Sequence, residues 1–91
     1  MKKIYSVHLE HRAEKELRRL PHNLFQKVIA QVKNLKDNPR PPGCRKIIGS
    51  KNDWRMKVEN YRIVYEIDET LAIVRVMRIR LRKEAYRKLF D

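Results

Sequence analysis

The sequence predicts an α+β domain in which an N-terminal helical hairpin covers one face of a four- to five-stranded, mainly antiparallel sheet. Three observations carry that prediction. Apolar residues recur with a period near 3.6 as far as Leu35, a proline-rich connector follows, and from Lys46 onward the period is 2. With 91 residues the chain supports one domain, residues 1–91, near the size where a single core supplies modest stability.

The elements follow in order. Ile4 to Leu9 form a short first strand. Leu9, Ala13, Leu17 and Leu20 then recur at spacings of four, four and three on one side of a helix, while Glu10, Arg12, Glu14, Lys15, Arg18 and Arg19 take the solvated side. Pro21 stops that helix and suits the first turn of the next, where a missing N–H costs nothing. Leu24, Phe25, Val28, Ile29, Val32 and Leu35 make the second apolar stripe. The segment "DNPRPPGC", Asp37 to Cys44, breaks that helix as a stiff connector. Strands over Lys46–Ile48, Trp54–Val58, Tyr61–Ile67 and Leu71–Leu81 are joined by turns at "GSKND", "EN" and "DET", and an antiparallel meander is the economical arrangement. Lys83 to Phe90 reads as a short C-terminal helix or a frayed tail. With the helices on one face, the other face of the sheet is open for function.

Charge narrows the partners. The chain carries 23 Lys and Arg against 11 Asp and Glu, a formal +12, and the two halves each contribute +6, so the excess is no detachable tail. Such a field draws polyanions, nucleic acid first. The basic residues do not line one face of a long amphipathic helix, which argues against a membrane surface. A single cysteine, Cys44, excludes an internal disulfide framework and a multi-cysteine metal site, and points to a reducing, cytoplasmic setting. No apolar run approaches a bilayer span, and Lys2-Lys3 precedes no signal-peptide core.

The stretch "WRMKVENYRIVY", Trp54 to Tyr65, concentrates the cations. If Glu59 and Asn60 alone make the turn, with Asn60 taking the positive φ, Val58 faces Tyr61, Met56 faces Ile63 and Trp54 faces Tyr65 on the core side. Lys57 then lies opposite Arg62, and Arg55 opposite Val64, exposed together on the other side. Like charges across a strand pair cost roughly 0.2–1 kcal/mol. Folding does not require that arrangement, whereas a bound polyanion relieves it. Arg78, Arg80 and Arg82 add three more cations to one face if the last strand extends that far. The plain alternative is that these arginines guard a sheet edge.

Element order, "LKDNPRPPGCRKI", "DWRMKVENYRIVYEID" and the basic close "RKEAYRK" together resemble the RelE/ParE toxin superfamily of type II toxin–antitoxin systems over essentially the whole chain. That resemblance implies a RelE-like fold. Its RelE-like branch implies a ribosome-dependent endoribonuclease that cuts mRNA in the A site, needs no metal or other cofactor, and is held inactive by a cognate antitoxin in a hetero-oligomer. Transferred by position, the catalytic set is Arg55, Lys57, Arg62, Arg80 and Tyr86; the neighbouring cations Arg78, Arg82 and Lys83 are expected to contact RNA. Arg55 stands where a Lys is frequent, "VEN" replaces a glycine-containing turn, and "RIRLRKEAY" lacks the common Gly-His-Arg, which leaves Arg82 a rival to Arg80.

The residue types suit that chemistry. RNA cleavage by its own 2′-OH needs that oxygen deprotonated, the phosphorane charge stabilised and the departing 5′ oxygen neutralised. Crowding disfavours the charged form of a lysine among arginines, which makes Lys57 the candidate for assisting the 2′-OH with Arg55 adding charge. Arginine suits fixed transition-state charge, hence Arg62 on the phosphate and Arg80 on the phosphorane and leaving oxygen. Tyr86 would orient or stack on RNA. His8, His11 and His22 fall in the helical half, away from these groups. Trp54, Tyr61 and Tyr65 share the apolar parity and read as core, Tyr5 as strand packing, and Cys44 as an inert thiol. Two other functions stay open: a ParE-like inhibitor of DNA gyrase, and a non-catalytic module that grips RNA or antitoxin only.

Overall fold

The computed structural model describes residues 2–82. Strand β1, Ser6–Leu9, leads into helices α1, His11–Arg18, and α2, His22–Asn34. Strands β2 (Arg45–Lys46), β3 (Asp53–Val58), β4 (Tyr61–Asp68) and β5 (Ile73–Leu81) follow. The five strands make one sheet in the order β1-β5-β4-β3-β2. From β2 to β5 this is the expected antiparallel meander, while β1 pairs parallel with β5, Ser6 against Ile73 through Leu9 against Val76. The sheet is therefore mixed, with two helices on one face.

The helices fold against the apolar parity of the strands. Ala13 and Leu17 of α1, Val28 and Val32 of α2, and Leu35 close on Met56, Val58, Ile63, Tyr65, Ile67, Val74, Val76 and Ile79. Each Val, Leu, Ile or Met side chain so buried is worth about 1.5–3 kcal/mol against exposure. Tyr65 is fully buried, and its hydroxyl donates to the carbonyl of Pro39 at 2.8 Å, pinning the proline-rich connector to the core. Burial pushes that phenol well above its ordinary range. The Arg40 guanidinium lies 4.9 Å above the Trp54 ring and 2.8 Å from the Glu69 carboxylate. Glu69 also accepts from the Tyr5 hydroxyl at 2.7 Å and from Lys3 at 3.1 Å. These donors, Tyr5 foremost, draw its pKa down to about 2, and the Tyr5 phenol is raised in turn. Trp54 and Tyr61 are partly buried against the core, as their parity predicts.

Several boundaries differ from the sequence expectation. The first strand begins at Ser6, leaving Ile4 exposed. Leu9 belongs to β1 and Leu20 lies beyond α1, so the helix proper carries Ala13 and Leu17. The second strand is Arg45–Lys46, because Ile47 to Ser50 close a turn through the Ser50 N–H to Ile47 O at 3.2 Å. Gly49 takes φ +88° there, and Ile48 stands in solvent. Leu71 is likewise a turn residue, its N–H donating to Asp68 Oδ1 at 2.9 Å, so β5 starts at Ile73. In the β3–β4 turn the positive φ falls on Glu59, at 56°, and Asn60 does not carry it. Lys27 of α2 holds the Glu59 carboxylate and depresses its pKa. The expected C-terminal helix, Lys83 to Phe90, lies outside the described residues.

Candidate nucleic-acid interface

On the face away from the core cluster, register decides which side chains meet. Residues directly opposite in an antiparallel pair point to the same side with Cβ atoms about 5 Å apart. Lys57 opposes Arg62, and Arg62 opposes Arg80, which makes one row of three cations across β3, β4 and β5. Two residues along, Arg45 opposes Arg55, Arg55 opposes Val64 and Val64 opposes Arg78, a second row across four strands. The hairpin register matches the sequence expectation at each pair named there.

Burial departs from that expectation. Lys57 is exposed and Arg55 half-buried, but Arg62 is only 6% exposed, so the three are not presented together to solvent. The cause is position: β4 is flanked by β3 and β5, and Arg62 has a long cationic neighbour on each side. Arg78 and Arg80 are also largely covered. Strand β5 ends at Leu81, which places exposed Arg82 just past it, its N–H donating to Asn60 O at 3.0 Å. Tyr86 and Lys83 lie outside the described residues.

A residue not foreseen completes one end of the face. β1 covers the edge of β5 only as far as Val76, and beyond it the Glu16 carboxylate of α1 accepts the Ile79 N–H at 2.9 Å. The same carboxylate takes Arg78 Nε at 3.2 Å and Nη2 at 2.9 Å, and lies 3.8 Å from Arg80 Nε. It thereby seals a sheet edge, grips Arg78 and lies beside Arg80. Sequence did hold a signal, since Glu16 is three residues after Ala13 and four before Leu20, an acid on an apolar stripe.

Past the second row the charge reverses. A β-bulge separates Val64↔Arg78 from Tyr65↔Val76, leaving Met77 unopposed. Beyond it Asp53 opposes Glu66 and Glu66 opposes Arg75, an acid-rich row joined by a 2.8 Å Arg75–Glu66 ion pair. Exposed His8 faces Arg75 in that region, and His11 and His22 open the two helices, so none of the three enters the cationic rows. Cys44 is half-buried in the connector.

A small α+β domain with clustered cations on the helix-free face of its sheet is the class that the fold and the charge define. Comparison with known proteins narrows that class. The chain belongs to the family described as the ParE toxin of the type II toxin–antitoxin system parDE, whose family model matches residues 7–86. The fold is similar to that of the archaeal RelE–RelB complex from Pyrococcus horikoshii OT3 (TM-score 0.78, 20% identity, covering 90% of this chain and 97% of that one). It is also similar to a mutant of E. coli toxin RelE in the free state (TM-score 0.77, 21% identity, 91% and 88% covered). A YoeB/ParE toxin from Agrobacterium tumefaciens shares it too (TM-score 0.72, 16% identity, 84% and 96% covered). No curated protein sequence matches. The RelE/ParE superfamily and the RelE-like α+β fold, both expected from the sequence, are thereby shown.

Proposed function

We propose that this toxin is a metal-independent, ribosome-dependent endoribonuclease that cleaves mRNA in the A site and so arrests translation. The observation that carries the reading is the row Lys57–Arg62–Arg80, three cations of the transferred set in direct cross-strand register on one face. In this mechanism the RNA 2′-OH attacks the adjacent phosphorus while Lys57 assists removal of its proton and Arg55 supplies charge. Arg62, held rigidly at the centre of the sheet, binds the phosphate. Arg80, held in place on the Glu16 side, stabilises the extra charge of the phosphorane. The P–O5′ bond then breaks, the 5′ oxygen takes up a proton, and a 2′,3′-cyclic phosphate remains. Tyr86 orients the RNA; Arg78, Arg82 and Lys83 contact its backbone. A cognate antitoxin holds the toxin in an inactive hetero-oligomer, an assembly supported by the antitoxin complexes among the similar structures.

Addition of the purified chain to a translation extract is the test: codon-periodic mRNA cuts with cyclic or 3′-phosphate ends are expected. Intact mRNA alongside trapped gyrase–DNA breaks would favour the second reading, a gyrase-directed toxin, to which the ParE description of the matching family lends weight. RNA that is bound but never cut would leave a non-catalytic module.

A further inference from the structure

The acids of the cationic face are unevenly placed. Glu16 serves the β5 end, gripping Arg78 and approaching Arg80, and Asp53, Glu66 and Asp68 lie beyond the second row, where Arg75 engages Glu66 and Asp68. At the β2–β3 corner, the side chains of Arg45, Arg55 and Lys57 make no hydrogen bond or ion pair with any described residue. Yet Arg45 is set directly across from Arg55, and it is exposed at the sheet edge. An arginine pair in that register repels, and a shared anion between the two guanidiniums reverses the sign of the interaction.

We propose that Arg45, with Arg55 beside it, forms a second phosphate subsite for single-stranded RNA, so that the bound strand crosses the sheet from β5 over β4 and β3 to leave at the β2 edge. The inference rests on the reading of this face as an RNA site and adds a direction to it. Three strand spacings of about 4.8 Å separate the Arg78 and Arg45 columns, roughly 14 Å, which is more than one backbone phosphate can reach. The acid-rich row of Asp53 and Glu66 closes the alternative path along the strands, because it would bring phosphate against carboxylates. The strand therefore runs across the sheet, parallel to the two cationic rows. Arg45 is a binding residue in this scheme, remote from the reacting phosphate.

The register supplies an internal control. Lys46 is Arg45's neighbour, also exposed and equally charged, but it opposes Trp54 and so points to the other side of the sheet. Fluorescence anisotropy with the full chain and a 2′-O-methylated oligouridine, which cannot be cleaved, reads binding alone. Loss of one phosphate contact to a single strand lowers the slope of log K against log salt by about 0.7, or roughly fivefold in affinity at 0.1 M salt when extrapolated from 1 M. Arg45→Ala is expected to show that loss, Arg45→Lys to recover most of it, and Lys46→Ala to stay within about twofold of the parent. Equal effects of Arg45→Ala and Lys46→Ala, or no effect of Arg45→Ala, would overturn the subsite. So would a loss confined to polyglutamate, which would assign the corner to an acidic protein segment. Uncut mRNA in the translation extract together with the Arg45-specific loss would sink the nuclease reading and leave the subsite standing; cut mRNA without that loss would do the reverse.

Discussion

Replacing Glu16 by Gln keeps the side-chain shape and removes one negative charge from among two arginines. The carboxylate accepts two hydrogen bonds from Arg78 and one from the Ile79 N–H, and lies 3.8 Å from Arg80. Exposure sets the scale: Glu16 retains 19% of its side-chain surface, Arg78 24% and Arg80 18%, so the cluster is neither a surface pair nor dry. Exposed pairs give about 0–1 kcal/mol, and breaking a fully buried pair costs about 3–5 kcal/mol. An intermediate loss near 2 kcal/mol follows. For a domain of this size each kcal/mol moves Tm by about 4–8 °C, which predicts a fall of roughly 8–16 °C. Thermal unfolding by circular dichroism reads it, and the double variant Glu16→Gln/Arg78→Met separates pairing from general damage. A coupling of at least about 1 kcal/mol between the two positions is expected. A Tm within about 2 °C of the parent, or additive effects, would refute the view that this carboxylate organises the arginines.

Other outcomes follow from the same structure. Arg62→Ala should lower single-turnover cleavage at saturating ribosome–mRNA complex by about 10²–10³, the range for loss of one charge-stabilising donor, and an unchanged rate would remove Arg62 from the chemistry. Glu69 has a folded pKa of about 2 against an ordinary 4.5, so its stabilising contribution is complete above about 4.5 and fades as pH falls toward 2. The Tm gap between the parent and Glu69→Gln should therefore close across that interval in a pH series; a gap constant with pH would contradict the Tyr5–Lys3–Arg40 cradle. Gly49→Ala meets no neighbouring atom but must hold φ +88°, so urea unfolding should show a loss of about 1–2 kcal/mol from backbone strain alone. No loss would mean the turn has relaxed.

What the residues disclosed and what they hid follows physical lines. The β3–β4 hairpin was legible pair by pair, because a two-residue turn fixes register and the apolar parity chooses the face. Its positive φ was placed on the wrong residue, since Asn60 is the better intrinsic host, but Lys27 from α2 holds Glu59 at that position. The parallel β1–β5 pairing left no local trace, being a contact between distant segments. Nor did the bulge at Met77, which one extra residue on β5 creates. The cations of the candidate face were visible by type and alternation, whereas their burial was not: Arg62 is hidden because it is central, and centrality is set by strand order. Glu16 was passed over because helical acids are usually solvent-facing, though its place on the stripe marked it.

The pairing of β1 with β5 also bears on when the protein becomes complete. Ser6 and Ile73 are 67 positions apart, so the N-terminal strand waits at an unfilled edge until nearly the whole described chain has been made. The same late strand brings Arg78 and Arg80 to Glu16 and closes the cationic row begun by Lys57 and Arg62. A chain that stops short of β5 has the residues of both helices and of the β3–β4 hairpin but lacks the strand that unites them. The finished surface thus depends on that one strand, and a copy truncated before it carries Lys57 and Arg62 without Arg80 in register beside them.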